Sequence, residues 1–167
     1  QTTYLKNMVN YIDQISKNGA APDHAAGVRE QYRIYIIDDI RKKLAELQHM
    51  DSVITYSSNT SDAVGIIHDI FEQLKVRYNR LLLGAGAASY DDPMLVLIMN
   101  KMDGINAIGN DKTASEEFRQ IIGRYKDLGV FIVFAHIPNA IVPYNGHELL
   151  KAIKEHKHYL MFEDASQ

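Results

Sequence analysis

Four short runs of apolar and β-branched residues, separated by stretches of helical periodicity, constrain this chain more than any other feature. Tyr32–Ile37 stops at Asp38-Asp39, Met94–Met99 stops at Asn100-Lys101, residues 130–134 lead into Ala135-His136, and residues 159–162 form the last run. Runs this short and continuous suit strands covered on both faces of a parallel sheet. Pro93 fits just outside the second of them.

The stretches between read as helices or turns. Leu5, Met8, Val9, Ile12 and Ile15 recur three and four apart, predicting a first helix that Gly19 ends, followed by a loop over 18–28. A short helix or turn through Ile40, Leu44 and Leu47 leads to a weaker strand at 53–56, and residues 57–61 supply N-cap chemistry. Val64, Ile67, Phe71, Leu74 and Tyr78 predict a helix to about Arg80, with Asp69, Glu72, Lys75 and Arg77 left in water. Residues 84–93 read as a loop. Thr113 and Glu116 form a capping-box pattern for a helix carrying Phe118, Ile121, Ile122 and Tyr125, with Gly129 at its end. A last helix spans 148–154, with Leu149, Leu150 and Ile153 inward. The alternation predicts βα units in one α/β domain over residues 1–167, with a mainly parallel sheet and ligands at the C-terminal strand ends.

At 167 residues, 46% hydrophobic and 23% charged, the chain is long enough for one core and too short for two ordinary domains. A net charge of -3 gives no overall pull towards nucleic acid, so no nucleic-acid partner is expected. The absence of cysteine removes disulfides, thiolate zinc sites and a cysteine nucleophile. No apolar run has the length of a membrane span, and the N-terminus lacks a signal-peptide core. Gln1-Thr2-Thr3-Tyr4-Leu5 has no start methionine and runs straight into an amphipathic pattern, so the chain reads as part of something longer.

Candidate chemistry sits at the strand ends: Asp38 and Asp39; Asn100, Lys101 and Asp103; and His136. In a P-loop ATPase, the strand ending at Met99 would lead into a magnesium-holding Asp and a carboxylate that orients water. Here those positions are Asn100 and Lys101. An amide is a poor magnesium ligand, and a lysine ammonium is no base at neutral pH. The plain alternative is a solvated strand-to-loop exit over 99–104; for Asp38-Asp39 it is a turn whose carboxylates cap amides near Ile40 to Lys42. His156 and His158 would share a strand face, but no carboxylate stands at a spacing that completes a metal site, so none is expected. Gly84-Ala85-Gly86 lacks the strand and helix of a dinucleotide fingerprint. Arg41-Lys42-Lys43 and Lys75, Arg77, Arg80 read as solvated helix faces. No G-x-S-x-G occurs, so a hydrolase triad has no support.

Nearly the whole chain resembles the C-terminal ATPase-like domain of the membrane-anchored FtsK/SpoIIIE-type ATPases of type VII secretion, the EssC/YukB group of Gram-positive bacteria. The resemblance rests on Tyr35-Ile-Ile-Asp-Asp-Ile-Arg41, the helix over 61–80, Leu95-Val-Leu-Ile-Met-Asn-Lys101, Ile121-Ile-Gly-Arg-Tyr-Lys126 and Val130-Phe-Ile-Val-Phe-Ala-His136, taken in order. It implies a RecA-like P-loop NTPase core with helices on both faces, whose first strand and most of the P-loop would lie upstream. Gln1, Thr2 and Thr3 then match the end of the Walker A motif, with Gln1 at its lysine. Asn100 and Lys101 match the magnesium acid and catalytic glutamate, and Ala135-His136 matches the polar pair of the sensor strand.

Because lysine, acid and base are all replaced, the resemblance implies no catalytic residue, no certain cofactor, and a module that recognises substrates or regulates neighbouring ATPase modules. Its implied partners are those modules, small helical WXG-type substrates and, for the full-length protein, further copies, in a cytoplasmic domain of a membrane-anchored protein. The alternative is an ATP-binding or active domain powering export, with Asp38 or Asp103 holding magnesium. A third reading is a flavodoxin-like doubly wound binding domain, which a strand order other than the RecA-like one would favour.

Overall fold

A computed structural model of the chain describes residues 2–18, 31–84, 92–136, 144–156 and 159–163. Among these are helices α1 (Thr2–Asn18), α2 (Ala63–Leu82), α3 (Met102–Asn110), α4 (Lys112–Ile122) and α5 (Tyr144–His156). The strands are β1 (Tyr32–Ile37), β2 (Val53–Ser57), β3 (Met94–Met99), β4 (Val130–His136) and β5 (Tyr159–Glu163). A 3-10 turn at Ala45–His49 precedes β2, and another at Thr60–Asp62 precedes α2.

The strands form one five-stranded sheet in the order β2-β1-β3-β4-β5, and every pairing is parallel. Period-two alternation sends Tyr35, Ile37, Leu95, Leu97, Met99, Ile132 and Phe134 to a face packed by α2 to α5. Ile34, Ile36, Val96, Ile98, Val133 and Ala135 go to the other face, beneath Leu5 and Val9 of α1 and Leu44 and Leu47 around the first 3-10 turn. Covered on both faces, the central strands need the unbroken apolar runs that the sequence shows. The strand predictions hold for all five, each within about one residue at either end except β4, which runs two residues further, to His136.

Four expectations are corrected. The exit from β3 is a helix: α3 starts at Met102, and Met102, Ile105 and Ile108 are buried. Its Gly104 lies against β1, where an added Cβ would stand 3.1 Å from Ile37 Cγ2, so the missing side chain is what permits the close approach. The cap of α4 is Asp111, whose Oδ1 accepts from Ala114 N at 2.8 Å, and Thr113 lies exposed inside the helix. That helix ends at Ile122, well before Gly129. Arg77 is buried: its guanidinium donates to the carbonyls of Pro93 at 2.6 Å, Leu128 at 2.9 Å and Gly129 at 3.3 Å, tying α2 to the entries of β3 and β4.

Candidate functional site at the C-terminal edge of the sheet

The connection from β1 to β2 crosses one face of the sheet, and the connections from β2 to β3 and from β3 to β4 cross the other. The C-terminal ends of β1 and β3 are therefore a topological switch point, where open α/β sheets present a crevice. Asp38 and Asn100 occupy it, both almost without solvent exposure. Backbone bonds seat them: Asp38 N donates to Ser57 O at 2.7 Å, and Asn100 N to Ile37 O at 2.9 Å.

Across the switch point, Asn100 Nδ2 donates to Asp38 Oδ1 at 2.7 Å. A carboxylate only accepts, so the amide presents its nitrogen to it. The same Oδ1 accepts from Asp39 N at 2.8 Å, while Oδ2 accepts from Leu44 N at 2.7 Å and Tyr56 Oη at 2.9 Å. Burial and the Asp38 carboxylate push the Tyr56 phenol well above its ordinary range, so it remains a donor at neutral pH. Asp39, also buried, accepts from Arg41 N at 2.9 Å through Oδ1. The turn-capping role therefore applies to both aspartates, which accept from the amides of Arg41 and, beyond the expected range, Leu44. The Arg41-Lys42-Lys43 run lies in this turn and not on a helix face.

The remaining sequence candidates lie around this centre. Lys101, half-buried, is the N-cap residue of α3 and makes no ion pair among the described residues. Asp103 is exposed in the first turn of α3. Ser57 Oγ donates to Asp62 Oδ2 at 2.7 Å, and Asn59 caps the turn before α2 by accepting from Ser61 N at 3.3 Å. This is the N-cap chemistry expected of 57–61. His136 is the last residue of β4, paired in register with Glu163 of β5. Thr2 and Thr3 open α1, and Gln1 lies outside the described residues.

Lys6 of α1 reaches Glu46 at 3.0 Å in the turn that follows β1. Asp13 accepts from Ser52 Oγ at 2.9 Å just before β2. The helix is thereby oriented with its first turn towards the strands' C-terminal ends. Of the two histidines expected to share a strand face, His156 is instead the last residue of α5, and His158 lies outside the described residues.

A magnesium ion does not fit the residues at the switch point. Both oxygens of Asp38 are surrounded by proton donors, Asn100 turns an N–H towards them, and the neighbouring Lys101 adds positive charge. No group of three or more metal-ligating side chains occurs among the described residues. Sequence reasoning identified these residues one by one and missed their mutual bonding, because nothing in either segment marks a contact 62 residues apart.

No family model matches the sequence, and no curated protein matches it. Among solved structures, the chain is similar to EssC (ATPases 2 and 3) from Geobacillus thermodenitrificans, with a TM-score of 0.52 and 14% identity. The match covers 96% of this chain and 30% of that one. The fold is thus that of EssC ATPase domains, a RecA-like α/β core with helices on both faces of a parallel sheet. The strand order taken alone is shared with flavodoxin-type sheets. The similarity to EssC goes with the RecA-like assignment.

Proposed function

We propose that this chain is an ATPase-like module that no longer hydrolyses ATP and serves a membrane-anchored type VII secretion motor as a substrate-recognising or regulatory part. On this reading it works on the cytoplasmic side beside other ATPase modules of the same protein, and receives small helical WXG-type substrates. The observation that carries the proposal is the Asp38–Asn100 bond. It spends on structure the carboxylate nearest the position of the magnesium acid, and fills that position with a hydrogen-bond donor. Metal-assisted phosphoryl transfer needs oxygen ligands facing the cation and a group that orients the nucleophile.

The second reading, a working ATPase, is favoured by one feature: Asp103 stands exposed at the opening turn of α3, beside the switch point. Calorimetric titration of magnesium-ATP into the module together with its upstream segment, followed by a turnover assay, separates the two. The expected result is no steady turnover. Turnover that disappears on changing Asn100 overturns the proposal, and turnover that disappears only with Asp103→Asn establishes the second reading.

A further inference from the structure

Ile40 is 89% exposed, the highest exposure of any large apolar side chain among the described residues. It sits at the tip of the turn that leaves β1, followed directly by Arg41, Lys42 and Lys43, all exposed and all without an ion pair among the described residues. Four other cations do have acidic neighbours: Lys6 with Glu46, Lys17 with Asp13 and Asp51, Lys75 with Glu72, and Arg80 with Asp92.

The turn is stiff. Arg41 N, Lys42 N and Leu44 N are bound by Asp39 Oδ1 at 2.9 Å, Asp39 O at 2.9 Å and Asp38 Oδ2 at 2.7 Å, and Ala45 N by Lys42 O at 3.1 Å. Lys42 has φ 51°, the only left-handed non-glycine backbone among the described residues. A side chain with a Cβ adopts that conformation only where its surroundings impose it. Two buried carboxylates and a left-handed lysine thus hold an isoleucine in water, an arrangement that core packing does not explain.

We infer that the Ile40–Lys43 turn is a docking knob for an acidic amphipathic helix. A single protruding β-branched side chain fits the hole between four residues of a helix face, the geometry of helix-to-helix knobs. Carboxylates flanking that hole meet Arg41, Lys42 and Lys43, and an anchor already fixed in its bound shape loses little conformational entropy on association. A helix is preferred to an anionic membrane, because membrane attachment draws on a broad apolar face. This turn offers one apolar side chain on a chain of net charge -3. The inference does not depend on whether the module binds nucleotide.

The test uses the full chain and a synthetic helical peptide with leucines on one face and glutamates flanking them, read by fluorescence anisotropy. Controls are the same peptide with lysine in place of glutamate, and phosphatidylglycerol vesicles. Binding of the acidic peptide should weaken about tenfold or more in Ile40→Asp and in the double variant Arg41→Glu/Lys43→Glu, and should weaken with added salt. Circular dichroism checks that both variants fold; should either fail to fold, Ile40→Ser and Lys43→Gln take their places. No binding of the acidic peptide, equal binding by the Ile40 variant, or Ile40-dependent binding to the vesicles in its stead overturns the inference.

Discussion

The amide of Asn100 and the carboxylate of Asp38 meet at 2.7 Å across the ends of β1 and β3, although 62 residues separate them in the chain. Their bond spans the switch point between the two strands. With four donors on two oxygens, the Asp38 carboxylate has the partners of a structural acceptor, and Asn100 is one of them.

Removing the acceptor leaves its donors stranded. Asp38→Ala should lower unfolding stability by roughly 3 kcal/mol, because the Asn100 amide and the Leu44 N–H are left buried without partners. Thermal denaturation should show a fall of about 6–12 °C. A loss near zero would mean that water replaces the carboxylate without cost.

Restoring the acid at position 100 should not restore a magnesium site without penalty. In Asn100→Asp two carboxylates share one place, and one of them is held above its unfolded pKa of about 4. A raised folded pKa preserves stability below the unfolded pKa and loses it as pH rises. The melting difference from the parent should therefore be small near pH 4 and widen towards pH 8. Magnesium should narrow the gap at high pH, which melting curves with and without the ion would reveal.

Much of this architecture is legible in the sequence because strands buried on both faces leave continuous apolar runs; Met94–Met99 could be little else. The helix α3 escaped notice because Gly104, Asn106 and Gly109 dilute the signal of Met102, Ile105 and Ile108. The burial of Arg77 follows from helical spacing, three residues beyond Leu74 and seven beyond Ile70 on the apolar face. Residue type argued for water, and three backbone carbonyls won. At the candidate site the strand-end acids were visible, while the bond between Asp38 and Asn100 depends on β1 lying beside β3, which is a property of topology.

Arg77 and Gly129 should prove energetically coupled. Gly129 has φ 82°, and an added Cβ would stand 2.9 Å from Arg77 Nη1. Gly129→Ala should cost roughly 1–3 kcal/mol in the parent. The cost should be smaller in an Arg77→Ala background, where only the backbone penalty remains. A double-mutant cycle by urea denaturation measures the difference, and strict additivity would refute the contact.

His68 of α2 and Glu117 of α4 are joined at 2.8 Å between Nδ1 and Oε1. The hydrogen bond and charge of Glu117 raise the imidazole above its ordinary value of 6.5. The pair's contribution to stability is full below that unfolded value and fades as pH rises through the higher folded one. NMR titration should place the His68 midpoint above 6.5, and Glu117→Gln should bring it down.

The position of β1 between β2 and β3 also bears on how the chain folds. β1 precedes β2 in the chain, yet its partner on the other side is β3, which begins only at Met94. Among the described residues that precede β3, Ile34 and Ile36 are covered by α1, β2 and the first 3-10 turn. A slip of β3 by one residue would send Asn100 to the opposite face and take its amide from Asp38. The register between β1 and β3 is therefore marked at their C-terminal ends by a buried side-chain bond that a slip would break.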